Sequence, residues 1–152
     1  MVYEQRLKDL GIVIPEKNMG KGIVLCKQVS DLVYVSGHGP NKADGSLVMV
    51  GAIGRDLTVE QGYHAAQKVG LNLLASLRAY LGTLDRVVDI VKVLGWVQCV
   101  DGFVDTPAVM HGFSDLMIQI FGERGKHARS AIGTNALPNN MSVEVECIVR
   151  VC

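Results

Sequence analysis

The 152-residue chain carries no excess charge of either sign, with 15 Lys+Arg against 15 Asp+Glu. No Lys/Arg cluster stands out, so there is no electrostatic case for a nucleic-acid backbone or an acidic membrane as partner; such binding depends on neutralising a dense row of phosphates. Cys26, Cys99, Cys147 and Cys152 include no Cys-x-x-Cys pair. Three of them lie in or at the end of apolar β-like runs, where a thiol acts as a small hydrophobe, so buried reduced cysteines are expected. No apolar run reaches membrane-spanning length, and the opening MVYEQRLKDLG lacks a signal-peptide core. A cytoplasmic location is the expectation. His38, His64, His111 and His127 form no HxH or HExxH pattern, which argues against a metal site. Ser36-Gly37-His38-Gly39 is not a GxSxG elbow, and Gly51-Ala52-Ile53-Gly54 lacks the strand and helix that frame a nucleotide loop. His38, in a turn, reads as a solvated loop residue, and Trp96 as core or subunit-interface filler.

The length is that of one domain able to bury a substantial core. At 49% hydrophobic and 20% charged residues, the near-neutral surface favours self-association. Val2 to Leu10 has apolar residues at helical spacing and ends at Gly11, a good residue just past a helix. Gly11 to Gly20 reads as a connector. Gly22–Gln28 and Leu32–Ser36 read as a β-hairpin, and Leu47 to Val50 as a short strand or a loop packed on the core. Thr58, with Gln61 three residues on, forms a capping box for a long helix ending at Gly82. Its small residues Gly62, Ala65, Ala66 and Gly70 would let it lie close to a sheet. Val87 to Val100 suits a buried central strand. Thr106 and Pro107 open a second helix as N-cap and first residue, with Ala108, Val109, Phe113, Leu116, Met117 and Ile120 as its apolar stripe.

The last stretch, His127 to Val151, reads as a hairpin that puts Arg129 on one strand and Glu144 and Glu146 on its neighbour, and it leaves open whether Arg129 and Glu144 act within one chain or across an interface. Arg129 offers a planar, permanently charged fork suited either to a ligand carboxylate or to an ion pair with these glutamates. Glu144 and Glu146 share parity and one face. The elements make an α+β fold, a ββαβαββ sheet with two helices on one face. Its other face is apolar, which predicts cover by another subunit.

The chain resembles the Rid/YjgF family, also called the endoribonuclease L-PSP family, over roughly Lys21 to Val151. The resemblance rests on Val35-Ser36-Gly37 with Pro40, the helix after Thr58, the Val87–Val100 strand, Ala128-Arg129-Ser130, Leu137-Pro138 and Val143-Glu144-Val145-Glu146. Residues 1–20 look like the N-terminal helical extension of a longer subgroup, with the family domain at 21–152. The resemblance implies a chorismate-mutase-like fold, a homotrimer around a barrel core, and a RidA-like deaminase that hydrolyses enamine or imine acids to 2-keto acids and ammonia without metal or organic cofactor. It assigns the substrate carboxylate to Arg129, the attacking water to Glu144, and pocket lining to Ser36, Gly37, Ile23, Met110 and Ala131. Where many members have Tyr, Cys and Asn, this chain has Ile23, Ala131 and Met110. The clamp is kept while the wall is changed. The alternative is therefore a trimer that binds a small carboxylate metabolite without turnover. Ribonuclease activity is suggested only by the older family name, and the neutral charge speaks against it.

Overall fold

The computed structural model describes residues 2–17 and 22–152. Helix α1 spans Val2–Asp9, α2 Val59–Leu81 and α3 Thr106–Phe121. The Thr58 box forms as expected: Gln61 N donates to Thr58 Oγ1 at 3.1 Å, and Thr58 N donates to Gln61 Oε1 at 2.9 Å. A cap of this kind stabilises by about 1 kcal/mol. Gly82 ends α2 in the left-handed region, φ 83°. Helix α3 starts one residue earlier than expected, with Asp105 at the N-cap and no side-chain capping bond. Thr106 lies inside the first turn and donates its hydroxyl to Ala131 O at 2.9 Å, tying the helix to a strand.

The strands are β1 (Cys26–Val29), β2 (Leu32–His38), β3 (Val87–Gln98), β4 (Ala128–Thr134) and β5 (Val143–Val151). They form one sheet in the order β1-β2-β5-β3-β4. The β1–β2 hairpin is present, but β4 and β5 are not a hairpin. Helix α3 is the crossover of a β3-α3-β4 unit, so β4 lies parallel beside β3, from Lys92↔Ala128 to Gln98↔Thr134. β5 returns through the middle, antiparallel to both β2 and β3. The sequences suit these places. In β5 every odd residue from Val143 to Val151 is buried, whereas β4, ARSAIGT, is small and only partly covered, as an edge strand should be.

Helices α2 and α3 cover one sheet face, with Leu73, Leu77, Phe113, Met117, Val93 and Val149 all fully buried in the core between them. Each such side chain contributes roughly 1.5–3 kcal/mol. Gly62 and Gly70 face α3 rather than the sheet: their nearest neighbours include Val109 and Leu116. Gly112 answers from α3, where a methyl group would collide with the Tyr63 carbonyl. The opposite sheet face carries Leu94, Trp96 and Ile148, with Tyr34 46% and Ile132 43% exposed. This is the uncovered apolar face the strand pattern called for.

Leu7 and Ile14 join the same core as the helices and sheet. Asp85 accepts from the Tyr3 and Glu4 amides at the start of α1, at 2.6 and 3.1 Å. The boundary expected at Gly20/Lys21 lies outside the described residues. The Leu47–Val50 run is a loop with Met49 packed against the core, joined to its neighbours by the isolated bridges Asn41↔Leu47 and Val50↔Met141 and by Val48 N donating to Pro40 O at 3.0 Å. Among the described residues no helix is long and apolar enough to cross a membrane. All four cysteines are free, Cys26 and Cys147 buried in the core.

Candidate functional site

The β2–β5 register slips by one residue between Val35↔Cys147 and His38↔Val145, which places a bulge at Ser36-Gly37. The bulge turns His38 inward, so it is a buried residue rather than a solvated loop one. Its Nδ1 lies 2.6 Å from Ser36 O and its Nε2 2.7 Å from Ser76 Oγ. A carbonyl only accepts, so Nδ1 carries the proton and Nε2 accepts from Ser76. Burial depresses the His38 pKa. The ring braces β2 against α2.

The same bulge brings the Gly37 backbone against the Glu144 carboxylate: a β-carbon there would stand 2.8 Å from Glu144 Oε1. Glu144 opposes Trp96 on the uncovered face, and the two with Gly37 and Glu146 line a cleft of about 190 Å³. Burial raises the Glu144 pKa, and the Glu146 charge adds to the effect. Glu144 and Glu146 share this face, as their spacing predicts.

Arg129 lies elsewhere. Its strand partner is Val93, which is buried under the helices, so Arg129 has the parity of the helix-covered face while Glu144 has that of the other. One strand, β3, lies between β5, which carries Glu144, and β4, which carries Arg129. The two residues are therefore not on neighbouring strands, as the hairpin reading has them, and they do not meet within one chain. Arg129 makes no ion pair with either glutamate among the described residues. Its Nη1 instead donates to His111 Nδ1 at 3.1 Å and to Ser114 Oγ at 3.0 Å, both on α3. Partial burial lowers the Arg129 pKa and the nearby Asp115 charge opposes this; a guanidinium stays protonated through such a change.

Behind Ser114 stands His127. Its Nδ1 lies 2.7 Å from Gly125 O and must donate there, which leaves Nε2 to accept the Ser114 hydroxyl at 2.9 Å. Burial first, then the Arg129 charge, depress the His127 pKa. Tyr63 donates to Asp115 Oδ2 at 2.7 Å. An open depression of about 480 Å³ is lined by Arg129, His111, Ser114, Asp115, Ile118, Lys126 and His127. The arrangement is a fixed cation in a polar cleft, with four of the six other lining residues, His111, Ser114, Asp115 and Ile118, drawn from α3.

The remaining expected site residues are dispersed. Ser36 donates its hydroxyl to Val24 O at 2.8 Å, holding the lead into β1. Ile23 is 86% exposed and borders neither cleft. Met110 is fully buried and packs on Gly95, one helical step round from His111, which takes the cleft-facing place. Ala131 is half-buried with its carbonyl taken by Thr106. His111, Ser114 and His127 did not emerge from the sequence as site residues. The available signal was His111, Ser114 and Asp115 at helical spacing, a polar interruption beside the apolar stripe of α3.

Fold and site together define a chorismate-mutase-like α+β protein with an arginine-anchored cleft at the edge of its sheet. Comparison with known proteins agrees: the family described as "YjgF/chorismate mutase-like, putative endoribonuclease" matches residues 4–151. The chain belongs to this YjgF family. It is 40% identical over 119 residues to "Protein TCP17" of Trypanosoma cruzi, covering 78% of this chain and 74% of that one. The crystal structure of Atu1372 from Agrobacterium tumefaciens, described as of unknown function, is 37% identical with a TM-score of 0.89, over 99% of this chain and 92% of that one. RidA from an Antarctic Psychrobacter species shares the fold, with a TM-score of 0.62 at 22% identity over 91% and 94% of the two chains.

Proposed function

We propose that the protein hydrolyses reactive 2-imino and enamino acids to 2-keto acids and ammonia, in a homotrimer whose sites form between subunits. The observation that carries this reading is the state of Arg129. Its Nη1 is held by neutral acceptors, no carboxylate pairs with it among the described residues, and the residue lines an open cleft. A cation held in this way is prepared for a carboxylate from outside the chain. The uncovered apolar face supports assembly, and the placement of Arg129 and Glu144 on opposite faces supports their meeting only across an interface.

The chemistry asked of the site is modest. The enamine tautomerises to the imine; water adds to the imine carbon; the carbinolamine releases ammonia and leaves the keto acid. Glu144, its pKa raised by burial, is a stronger base than an ordinary carboxylate once ionised and accepts the proton of the attacking water. Arg129 fixes the substrate, and positioning of this kind can supply much of the acceleration for an imine that hydrolyses unaided. No residue in this sequence of steps requires a metal or organic cofactor.

The test is to generate 2-aminoacrylate in situ with a serine dehydratase and follow keto-acid release. Acceleration by the wild type, lost in Arg129→Ala and in Glu144→Gln, is the expected result. No acceleration, or acceleration undiminished in Arg129→Ala, refutes it. The second reading, a trimer that binds a small carboxylate without turnover, draws on Ile23 and Ala131, which leave no phenol or thiol at those positions. It predicts that pyruvate raises the melting temperature in the wild type and not in Arg129→Ala, with no release of ammonia from imine.

A further inference from the structure

We propose that His111 and Ser114, with His127 behind them, are positioning residues that hold the Arg129 guanidinium in one orientation, so that its Nε–H and Nη2–H edge takes a planar carboxylate side-on. The proposal rests on the reading of Arg129 as a ligand anchor and names the residues that make it one. A guanidinium has five N–H donors in a rigid plane. The two on Nη1 are engaged by His111 Nδ1 and Ser114 Oγ, at 3.1 and 3.0 Å. Two acceptors set on different turns of α3 fix the plane's tilt as well as its roll. Among the described residues no hydrogen bond reaches Nε or Nη2, and these two nitrogens form the edge that matches a carboxylate with parallel N–H···O bonds.

Both acceptors depend on a particular arrangement of protons. Ser114 presents a lone pair to Arg129 because its own proton points to His127 Nε2, and Nε2 is an acceptor because Nδ1 donates to Gly125 O. That carbonyl is held close to α3, where a methyl on Gly125 would collide with the Met117 carbonyl. The Phe113 ring meets the His127 ring edge-on, with centroids 6.3 Å apart. The chain of donors runs one way, from Arg129 through Ser114 to His127 and on to the Gly125 backbone. His111 accepts in parallel from the solvent side, where its loss removes no core contact. Without these acceptors the long arginine side chain loses its fixed plane, and a ligand on it loses its fixed angle.

The test uses 2-oxobutanoate as the probe, with affinity measured by calorimetry on the full-length assembled protein. Ser114→Ala and His111→Ala are each expected to weaken binding roughly tenfold, short of the ~100-fold that a 1 Å misplacement can cost. His111→Asn, which returns an acceptor oxygen near the Nδ1 position, is expected to recover most of the loss. A merely structural Ser114 is excluded by a double-mutant cycle: in an Arg129→Lys background, whose ammonium has no plane to orient, Ser114→Ala is expected to add less than about twofold. Unchanged affinity in both single variants, with binding abolished in Arg129→Ala, overturns the positioning role and leaves the anchor standing. Absence of binding by the wild type, or binding undisturbed in Arg129→Ala, overturns both. Should Ser114→Ala fail to fold, the exposed His111 pair decides alone: a loss restored by Asn supports the proposal, and no loss or no restoration overturns it.

Discussion

Gly37→Ala is the sharpest perturbation of the Glu144 cleft. The added methyl would stand 2.8 Å from Glu144 Oε1, 3.1 Å from Cδ and 3.3 Å from Cγ, where ordinary contact begins at 3.4 Å. Nothing in the backbone blocks it, so the carboxylate moves and the strand stays. Overpacking a rigid core costs about 1–3 kcal/mol, but displacing the far end of a flexible side chain falls at or below the bottom of that range. For a chain of this size, 1 kcal/mol is about 2–4 °C in Tm. With Glu144 in the proposed role of base, activity is far more sensitive than stability, because a 1 Å misplacement can cost ~100-fold. The expected result is a Tm within about 4 °C of wild type and a fall in kcat/KM of at least about tenfold in the imine assay. Gly112→Ala is the contrast, since its methyl meets the Tyr63 backbone carbonyl, which cannot swing aside; a loss of ~3 kcal/mol or more is expected. Full activity in folded Gly37→Ala would refute the assignment of Glu144, and a Tm loss as large as that of Gly112→Ala would refute the claim that the collision is soft.

Three further outcomes follow from charge and burial. Glu144 has a raised pKa, so its ionisation opposes folding: its contribution is fullest at low pH and is lost as pH rises through its folded value. Glu144→Gln should therefore match or exceed wild-type Tm at pH 7 and lose any advantage near pH 4, and a Tm that drops at pH 7 alone contradicts this. His38 and His127 have depressed pKa values through burial, so the stability their neutral forms supply is present above the ordinary imidazole range and lost as pH falls through their folded values. Urea unfolding should show a lower midpoint at pH 5 than at pH 7.5, and His38→Gln should flatten that difference; an unchanged slope would exclude His38 as its source. Sedimentation velocity at micromolar concentration should give a trimer, reduced to monomer by Trp96→Glu on the uncovered face, and a wild-type monomer would remove the interface from the argument.

The helices were legible because their signals are local. Thr58 and Gln61 are three residues apart, the apolar stripe of α2 repeats every turn, and Gly82 terminates it within the same window. Strand existence was legible for the same reason, through the alternation in Val143–Val151. Pairing was not, because the partner of β4 is set by a crossover through α3, and short linkers on either side of Leu137-Pro138 look like a hairpin whichever strand lies next door. The hairpin reading therefore puts Arg129 and Glu144 on neighbouring strands, whereas β3 lies between theirs. His38 illustrates a second limit: a one-residue bulge reverses the parity of everything after it, and no local pattern in Ser36-Gly37-His38-Gly39 announces the slip. The acceptors of Arg129 escaped because polar residues on a helix ordinarily face solvent, and only the third dimension places β4 beside them.

Arg129 and Glu144 face away from each other across the sheet, and this has a meaning for heredity as well as for chemistry. If a working site takes one residue from each of two neighbouring copies, damage is assigned to sites and not to chains. A chain lacking the arginine and a chain lacking the glutamate would each be inert alone, yet a ring assembled at random from equal amounts of both would hold intact junctions at about one site in four, by the head-to-tail symmetry of a cyclic trimer. Two broken alleles would then make a partly working protein.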